Sequence, residues 1–216
     1  MKPFYSHLAF PLLLISFFTF SCKKGEITYD FEGKVTETAA GGNVSGADIE
    51  IHQVVFSQSV SNTNFQKAGE TTTDANGFYN ISIAREKVTD FKIDITKDGY
   101  FDQQLEFTSK EVSTEESNVF NVSMDAEAWV RLDVKNVGPM PGDELTMVLS
   151  EFREGCVGCA TNGHHSLVED IDTTFLFKTT AGRYAYFSFK DEVWNNLTKD
   201  SLFTIASDTV FYEFNY

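Results

Sequence analysis

Proline and cysteine are scarce in this chain of 216 residues, four and three respectively, and basic side chains number 17 against 32 acidic ones. So little proline, in so apolar a chain, excludes collagen-like and low-complexity classes. A net charge of −15 gives a surface that repels phosphate backbones, which excludes nucleic acid as a partner. No long stretch carries the spacing of an amphipathic helix. The apolar run at residues 8–20 is interrupted by Pro11 and is too short for a spanning helix. What is abundant is aromatic: 21 Phe and 8 Tyr stand within an apolar content of 42%. That composition favours sheets, and the length allows a sizeable core in one or two domains.

Lys2 followed by the apolar run reads as a signal peptide over residues 1–21. The run ends in Thr19-Phe20-Ser21-Cys22-Lys23-Lys24, a small residue and then Cys at the cleavage point. This resembles the lipobox of bacterial lipoproteins, with Thr19 where the usual box has Leu. The resemblance implies cleavage before Cys22, attachment of diacylglycerol to its sulfur, and acylation of the new amino group, as with palmitate. Each buried CH₂ contributes roughly 0.8 kcal/mol, so several acyl chains anchor firmly where one does not. It further implies a lipid-anchored protein in the envelope of a Gram-negative bacterium, at the outer membrane. The plainer alternative is an ordinary secretory peptide that leaves Cys22 as a free or pairing thiol. Losing residues 1–21 takes away Lys2 and no acid, leaving 16 basic and 32 acidic side chains, a net of −16.

A polar tether over 22–26 leads into period-two alternation at Ile27, Tyr29 and Phe31, the mark of a strand. The pattern returns at Ala47-Ile49-Ile51, Tyr79-Ile81-Ile83, Phe91-Ile93-Ile95, Leu105-Phe107 and Phe120-Val122-Met124. A second series follows at Ala128 to Val134, Leu145-Met147-Leu149, Ile171 to Phe177, Tyr184-Tyr186, Leu202 to Ile205 and Val210-Tyr212-Phe214. Many short strands between Gly, Asn, Asp and Ser clusters predict an all-β chain of two consecutive β-sandwich domains, over 27–125 and 126–216, the second Ig-like. One large sandwich across both halves is the alternative. Residues 191–199, with Val193, Trp194 and Leu197, predict a short helix or turn.

The most specific stretch is Thr71-Thr72-Thr73-Asp74-Ala75-Asn76-Gly77-Phe78-Tyr79, which reads as a hairpin. Asp74 and Asn76 hydrogen-bond within such a turn, and Gly77 takes positive φ without a Cβ clash. Together with Gly33-Lys34-Val35, Gly46-Ala47-Asp48-Ile49 and Lys97-Asp98-Gly99-Tyr100, in that order, it resembles the carboxypeptidase regulatory-like domain, a transthyretin-like sandwich. Departures are the segment 41–45, which lacks the Pro-Leu or Pro-Ile usual there, and the polar segment 56–67, taken as an enlarged loop. The resemblance implies a non-catalytic accessory module, and no catalytic residue transfers.

Cys156-Val157-Gly158-Cys159 followed by His164-His165 is the cluster with ligand chemistry. In an exported protein the two cysteines are candidates for a disulfide that pins the loop. They are also candidates, with His164 and His165, for tetrahedral zinc, although adjacent histidines point apart. A thioredoxin-like pair wants a βαβ setting that the all-β pattern does not provide. Asp74 to Gly77 resembles part of a calcium loop but lacks its distal Glu. Glu115-Glu116 and Glu169-Asp170 with Asp172 read as solvated strand ends. A triad spelled from Ser166, His165 and Asp170 has no nucleophile elbow around it. Trp129 and Trp194 are either packing residues or stacking platforms.

These readings predict a lipid-anchored, non-catalytic binding or assembly module with an envelope protein or glycan as partner and no cofactor. The rivals are a metal-dependent or hydrolytic enzyme centred on the 156–165 loop, and a structural spacer.

Overall fold

The structure is a computed structural model and describes residues 27–56, 64–149, 156–160, 164–168 and 170–216. Cys22, the signal segment, the tether and most of the 56–67 loop lie outside the described residues.

The first half follows its alternation into eight strands: β1 (Thr28–Glu37), β2 (Asp48–Val55), β3 (Gln66–Thr72), β4 (Phe78–Ala84), β5 (Val88–Thr96), β6 (Gln103–Thr108), β7 (Asn118–Val119) and β8 (Val122–Met124). They form two sheets, β4-β1-β7 with β8 also beside β1, and β3-β2-β5-β6. Tyr29, Phe31 and Val35 from one sheet and Ile49, Ile51, Phe91, Ile93 and Ile95 from the other close a single core. Burying that many aliphatic and aromatic side chains is the main stabilising term, at about 1.5–3 kcal/mol each. Gly33 is a requirement of this packing: a Cβ there would fall 1.9 Å from the Phe120 carbonyl oxygen, where the β7–β8 segment runs parallel beside β1.

The second half repeats the plan with β9 (Glu127–Lys135), β10 (Glu144–Leu149), β11 (His164–Val168), β12 (Asp172–Thr180), β13 (Tyr184–Asp191), β14 (Asn196–Phe203) and β15 (Thr209–Asn215). Here a three-stranded sheet, β12-β9-β15, faces a four-stranded one, β11-β10-β13-β14. Val130, Leu132, Leu145, Met147, Phe187 and Phe189 form its core. The all-β class of stacked sheets therefore holds.

Several details differ from the sequence reading. Asp74 to Gly77 does not join a hairpin, because β3 pairs with β2 while β4 pairs with β1 in the opposite sheet. The turn is a corner between sheets, and its local chemistry is the same in either setting. The outer loop gives up Gln66 and Lys67 to β3. Ile27 precedes β1 and is exposed, so the alternation starts one pair later than it reads. Tyr184 and Tyr186 face outward and Ala185, Phe187 and Phe189 inward, since only the latter register places three apolar side chains on the core. Within 191–199 only residues 192–195 form a turn, between β13 and β14, with the Asp191 carboxylate accepting the N–H of Val193 and of Trp194; residues 196–199, Leu197 among them, are strand.

Candidate binding surface

The two sandwiches meet without a spacer. The Glu127 N–H donates to the Gly99 carbonyl at 2.8 Å, and the Phe101 N–H to that of Asp125 at 2.9 Å. Ala126, Ala128 and Ala181 are buried at the seam beside Tyr100, whose hydroxyl donates to Glu37 at 3.2 Å. Burial and the Glu37 charge raise the Tyr100 hydroxyl pKa. Gly182, at φ +74, lets the β12–β13 turn touch Ala39: a Cβ there would lie 2.4 Å from the Ala39 Cβ. Small residues thus permit close apposition of the two units.

Beside the seam lies an open cleft of about 390 Å³ whose walls include Asp48, Lys97, Asp98, Asp102, Glu127 and Lys178. Lys178 is ion-paired with Glu127, and its ammonium sits over the rings of Phe101 and Trp129. The Lys97 ammonium donates to the Gly46 carbonyl. Both cations of the cleft are therefore engaged within the protein.

A ladder of charges continues from there over the outer face of β3-β2-β5-β6. Lys67 bridges Glu50 and Glu70; His52 Nε2 lies 3.2 Å from both Glu50 and Asp94; Lys92 and Gln104 complete the partners of Asp94. The Lys67 hydrogen bond holds the Glu50 carboxyl below its usual range, with His52 adding to it. Burial alone would raise Asp94; Lys92 and Gln104 outweigh it and lower the group.

The sulfurs of Cys156 and Cys159 stand at bonding distance, with Cα atoms 5.5 Å apart. Their segment lies along the outer edge of β12, where the Lys178 N–H donates to the Gly158 carbonyl at 2.7 Å. It also covers Trp129: a Cβ on Gly158 would be 3.9 Å from that indole. His164 and His165 are on β11, in the opposite sheet, and alternate between its faces; His165 points inward, 5.7 Å from Phe175. The four candidate ligands are not brought together, and no group of three or more His, Cys, Asp or Glu is arranged to hold a metal among the described residues. Ser166 and His165 project from opposite faces of β11, and the Ser166 hydroxyl donates to Glu144, so the triad is not assembled either. Asp172 pairs with Lys135 at the end of β12, and the N–H groups of Glu115 and Glu116 donate to the Ser113 hydroxyl in a turn.

The Asp74 turn is structural in its contacts. The Asp74 carboxylate accepts from the N–H groups of Asn76 and Phe78 at 2.8 and 2.9 Å. Gly77, at φ +77, brings its carbonyl to the Val35 N–H, and a Cβ there would meet the Val35 oxygen at 2.5 Å.

Exposed apolar surface gathers instead on the second sandwich. Tyr184, Tyr186 and Phe203 form a cluster on the outer face of β13 and β14, with Tyr184 and Phe203 centroids 5.2 Å apart. Trp194, 70% exposed, and Leu197 stand at the far end of the same strand pair; Ile205, between β14 and β15, and Phe211, on β15 in the other sheet, are exposed as well. Sequence reasoning singled out Trp194 as a packing residue or stacking platform but missed the rest of this surface, because aromatic alternation was read as facing the core. The overlooked signal is Ala185-Phe187-Phe189, an equally apolar set of the opposite parity.

No protein-family model matches the chain, and no curated protein is similar to it. Among solved structures it is similar to the Bacillus anthracis TIE protein, at 15% identity and a TM-score of 0.39, covering 88% of this chain and 34% of that one. It is similar also to GBS52, the minor pilin of Streptococcus agalactiae, at 9% identity and a TM-score of 0.37, covering 87% and 94%. A third is the shaft pilin SpaA of Lactobacillus rhamnosus GG, at 10% identity and a TM-score of 0.36, covering 87% and 97%.

Proposed function

We propose that the chain is a lipid-anchored protein of the Gram-negative outer membrane whose two β-sandwich domains, 27–125 and 126–216, act as a non-catalytic binding or assembly module. The first domain is read as carboxypeptidase regulatory-like, an accessory rather than a catalyst. The observation that carries the reading is the exposed cluster Tyr184, Tyr186 and Phe203 on the outer face of β13 and β14, with Trp194 and Leu197 exposed at the other end of that strand pair. Exposed apolar clusters mark interaction sites. Cys22 supplies the anchor, and β1 starts at Thr28, six residues later, so the tether holds the first sandwich next to the bilayer.

The test has two arms. Incorporation of labelled palmitate, lost in Cys22→Ala, is expected; an unlabelled wild-type chain would remove the anchor. Crosslinking in intact envelopes is expected to recover one reproducible partner, and Tyr186→Ser with Trp194→Ser to reduce its recovery. Recovery unchanged by both substitutions would remove this surface from the reading.

A further inference from the structure

The two sheets of the second sandwich are unequal, and the inequality falls at one place. His165 of β11 lies against Phe175 of β12, and Phe187 and Phe189 of β13 lie against Tyr212 and Phe214 of β15. β11 therefore stands over β12 and β13 over β15, which leaves β14 projecting past the edge of the three-stranded sheet. The outer edge of β15 carries no strand among the described residues, and the Tyr212 hydroxyl of β15 donates to Asp200 of β14 across the space between them.

Hydrogen-bond parity shows what that edge offers. β15 runs parallel to β9. The Tyr216 N–H donates to the Lys135 carbonyl, the Tyr216 carbonyl accepts from Val137, and the Asp208 carbonyl accepts from Trp129. In a parallel ladder both backbone groups of a residue point to the same neighbour and alternate residues point the other way. Even-numbered residues of β15 thus bond to β9, and Phe211, Glu213 and Asn215 direct N–H and C=O away from the sheet. None of these has a backbone partner among the described residues.

Three other edges are guarded. The outer edge of β12 carries the Cys156–Cys159 segment. β3 has a bulge opposite Ile51 and His52 with Lys67 and Glu70 along it, and on β14 the Asp200 carboxylate accepts the N–H of Ser201. Charges, bulges and covering loops are how sheet edges avoid adventitious pairing. β15 has no Pro, Lys or bulge, and Phe211 on it is 70% exposed.

We infer that the β15 edge is a docking site for an extended polypeptide strand of another protein, added as the fourth strand of the sheet β12-β9-β15. Alternating N–H and C=O groups are matched by another extended backbone, the chemistry of strand addition. Charge selects the strand: Glu213 stands on the edge strand itself, Asp208 precedes it and accepts the Thr209 N–H, and Asp200 of β14 accepts the Tyr212 hydroxyl, in a chain of net charge −15. The incoming segment carries Lys or Arg on its outer face beside Glu213 and apolar residues toward Leu202. A second copy fits poorly, because it brings a second β14 into the space the first one covers and adds like charge. The inference rests on the binding-module reading and names how its partner is held.

The experiment is backbone amide exchange by NMR on the full chain carrying Cys22→Ala. In the free protein the amides of Phe211, Glu213 and Asn215 exchange at least about tenfold faster than those of Val210, Tyr212 and Phe214. Adding the synthetic peptide Lys-Val-Thr-Val-Lys-Val-Thr is expected to slow the three outward amides about tenfold or more and leave the inward ones unchanged. Glu213→Pro removes one outward N–H and no bond to β9, so it is expected to abolish the effect while the inward amides stay protected. Protection of the outward amides without peptide, no change on adding it, or unchanged binding in Glu213→Pro would overturn the inference. Protection that rises with protein concentration alone would assign the edge to a second copy, and equal binding of a peptide with Glu for Lys would overturn the basic strand. A failed peptide experiment leaves the envelope crosslinking result standing, so the two readings fail separately.

Discussion

The first sandwich uses its apolar side chains inside and covers its outer sheet with charge; the second does the first of these and only part of the second. On β2, β3 and β5, the outward positions hold Glu50, His52, Lys67, Lys92 and Asp94, all paired with one another. On β13 and β14, the outward positions hold Tyr184, Tyr186, Leu197 and Phe203. Both cores are fully buried at their centres, Phe31 and Phe91 in one, Leu132 and Met147 in the other. The outer aromatics of the second sandwich are therefore additional to what folding needs. The two units therefore differ in what their outer faces carry, paired charge on the first and exposed aromatic side chains on the second.

The largest test of the comparison is on the cores. Phe31 is in ring contact with Tyr29, Phe91, Phe107 and Phe120, and Phe189 with Phe187, Tyr212 and Phe214. Phe31→Ala and Phe189→Ala are each expected to cost about 3–5 kcal/mol, from lost transfer energy and the cavity left behind. Calorimetry resolves whether each lowers only its own transition. If both variants lower one common transition, the seam at Gly99, Ala126 and Gly182 couples the units into one cooperative body, and the contrast is of surfaces alone.

Alkali provides a second, somewhat smaller separation. Burial pushes the Tyr79 hydroxyl up to about 12 from 10.0, and it donates to the Phe120 carbonyl at 2.8 Å. A folded pKa above the unfolded one means that folding favours the protonated form. The stabilisation is then complete below pH 10 and is lost as pH rises toward 12. A shift of that size corresponds to roughly 2–3 kcal/mol. Chemical denaturation at pH 8 and 11 is expected to show the first sandwich weakening most, and Tyr79→Phe to flatten its pH dependence. An unchanged slope in Tyr79→Phe would assign the alkaline loss to other groups, such as the Tyr212 and Tyr216 hydroxyls, whose pKa burial also raises.

The two units share one device that the sequence does not advertise. In the first, the buried Thr73 hydroxyl donates to the Val44 carbonyl at 2.7 Å and accepts from the Ala47 N–H at 2.8 Å. In the second, the Thr204 hydroxyl is 2.8 Å from the carbonyls of both Thr180 and Arg183 and accepts from the Arg183 N–H. Each ties a corner between strands. Valine keeps the shape and removes the hydroxyl, so Thr73→Val and Thr204→Val are each expected to cost about 1–3 kcal/mol, measured by urea denaturation. A cost confined to one of them would show that only that corner depends on its threonine.

How much of this was legible follows from which contacts are local. Alternation at Tyr29-Phe31, Ile49-Ile51 and Phe91-Ile93-Ile95 gave strands and their inward faces, because period two is a property of neighbouring residues. The Asp74 turn was readable for the same reason: its bonds reach Asn76 and Phe78 and no further. Which sheet each flank of that turn joins depends on Thr71 meeting Ile49 and Phe78 meeting Lys34, choices made across long sequence separations. Residues 184–189 are apolar on both parities, so the face toward the core was set by packing against Tyr212 and Phe214 and could not be read locally. The exposed surface was hidden for that reason, and so was the place of β15 at the edge of its sheet, which follows from its pairing with the distant β9 alone.

The smallest stability effect is expected where the contrast predicts the largest loss of binding. Trp194 is held in its turn by a backbone N–H bond to Asp191, and its indole is mostly in water. Tyr186 faces outward opposite Ser201, across the β13–β14 pair. Serine at either position removes apolar surface that the fold does not bury, so stability is expected to change by no more than about 0.5 kcal/mol. Recovery of a crosslinked partner is expected to fall, since aromatic side chains at the centre of an interface carry a disproportionate share of its energy. A loss of stability well beyond that bound would show that these rings support the sandwich after all. The two units would then differ only in which residues they spend on their own folding.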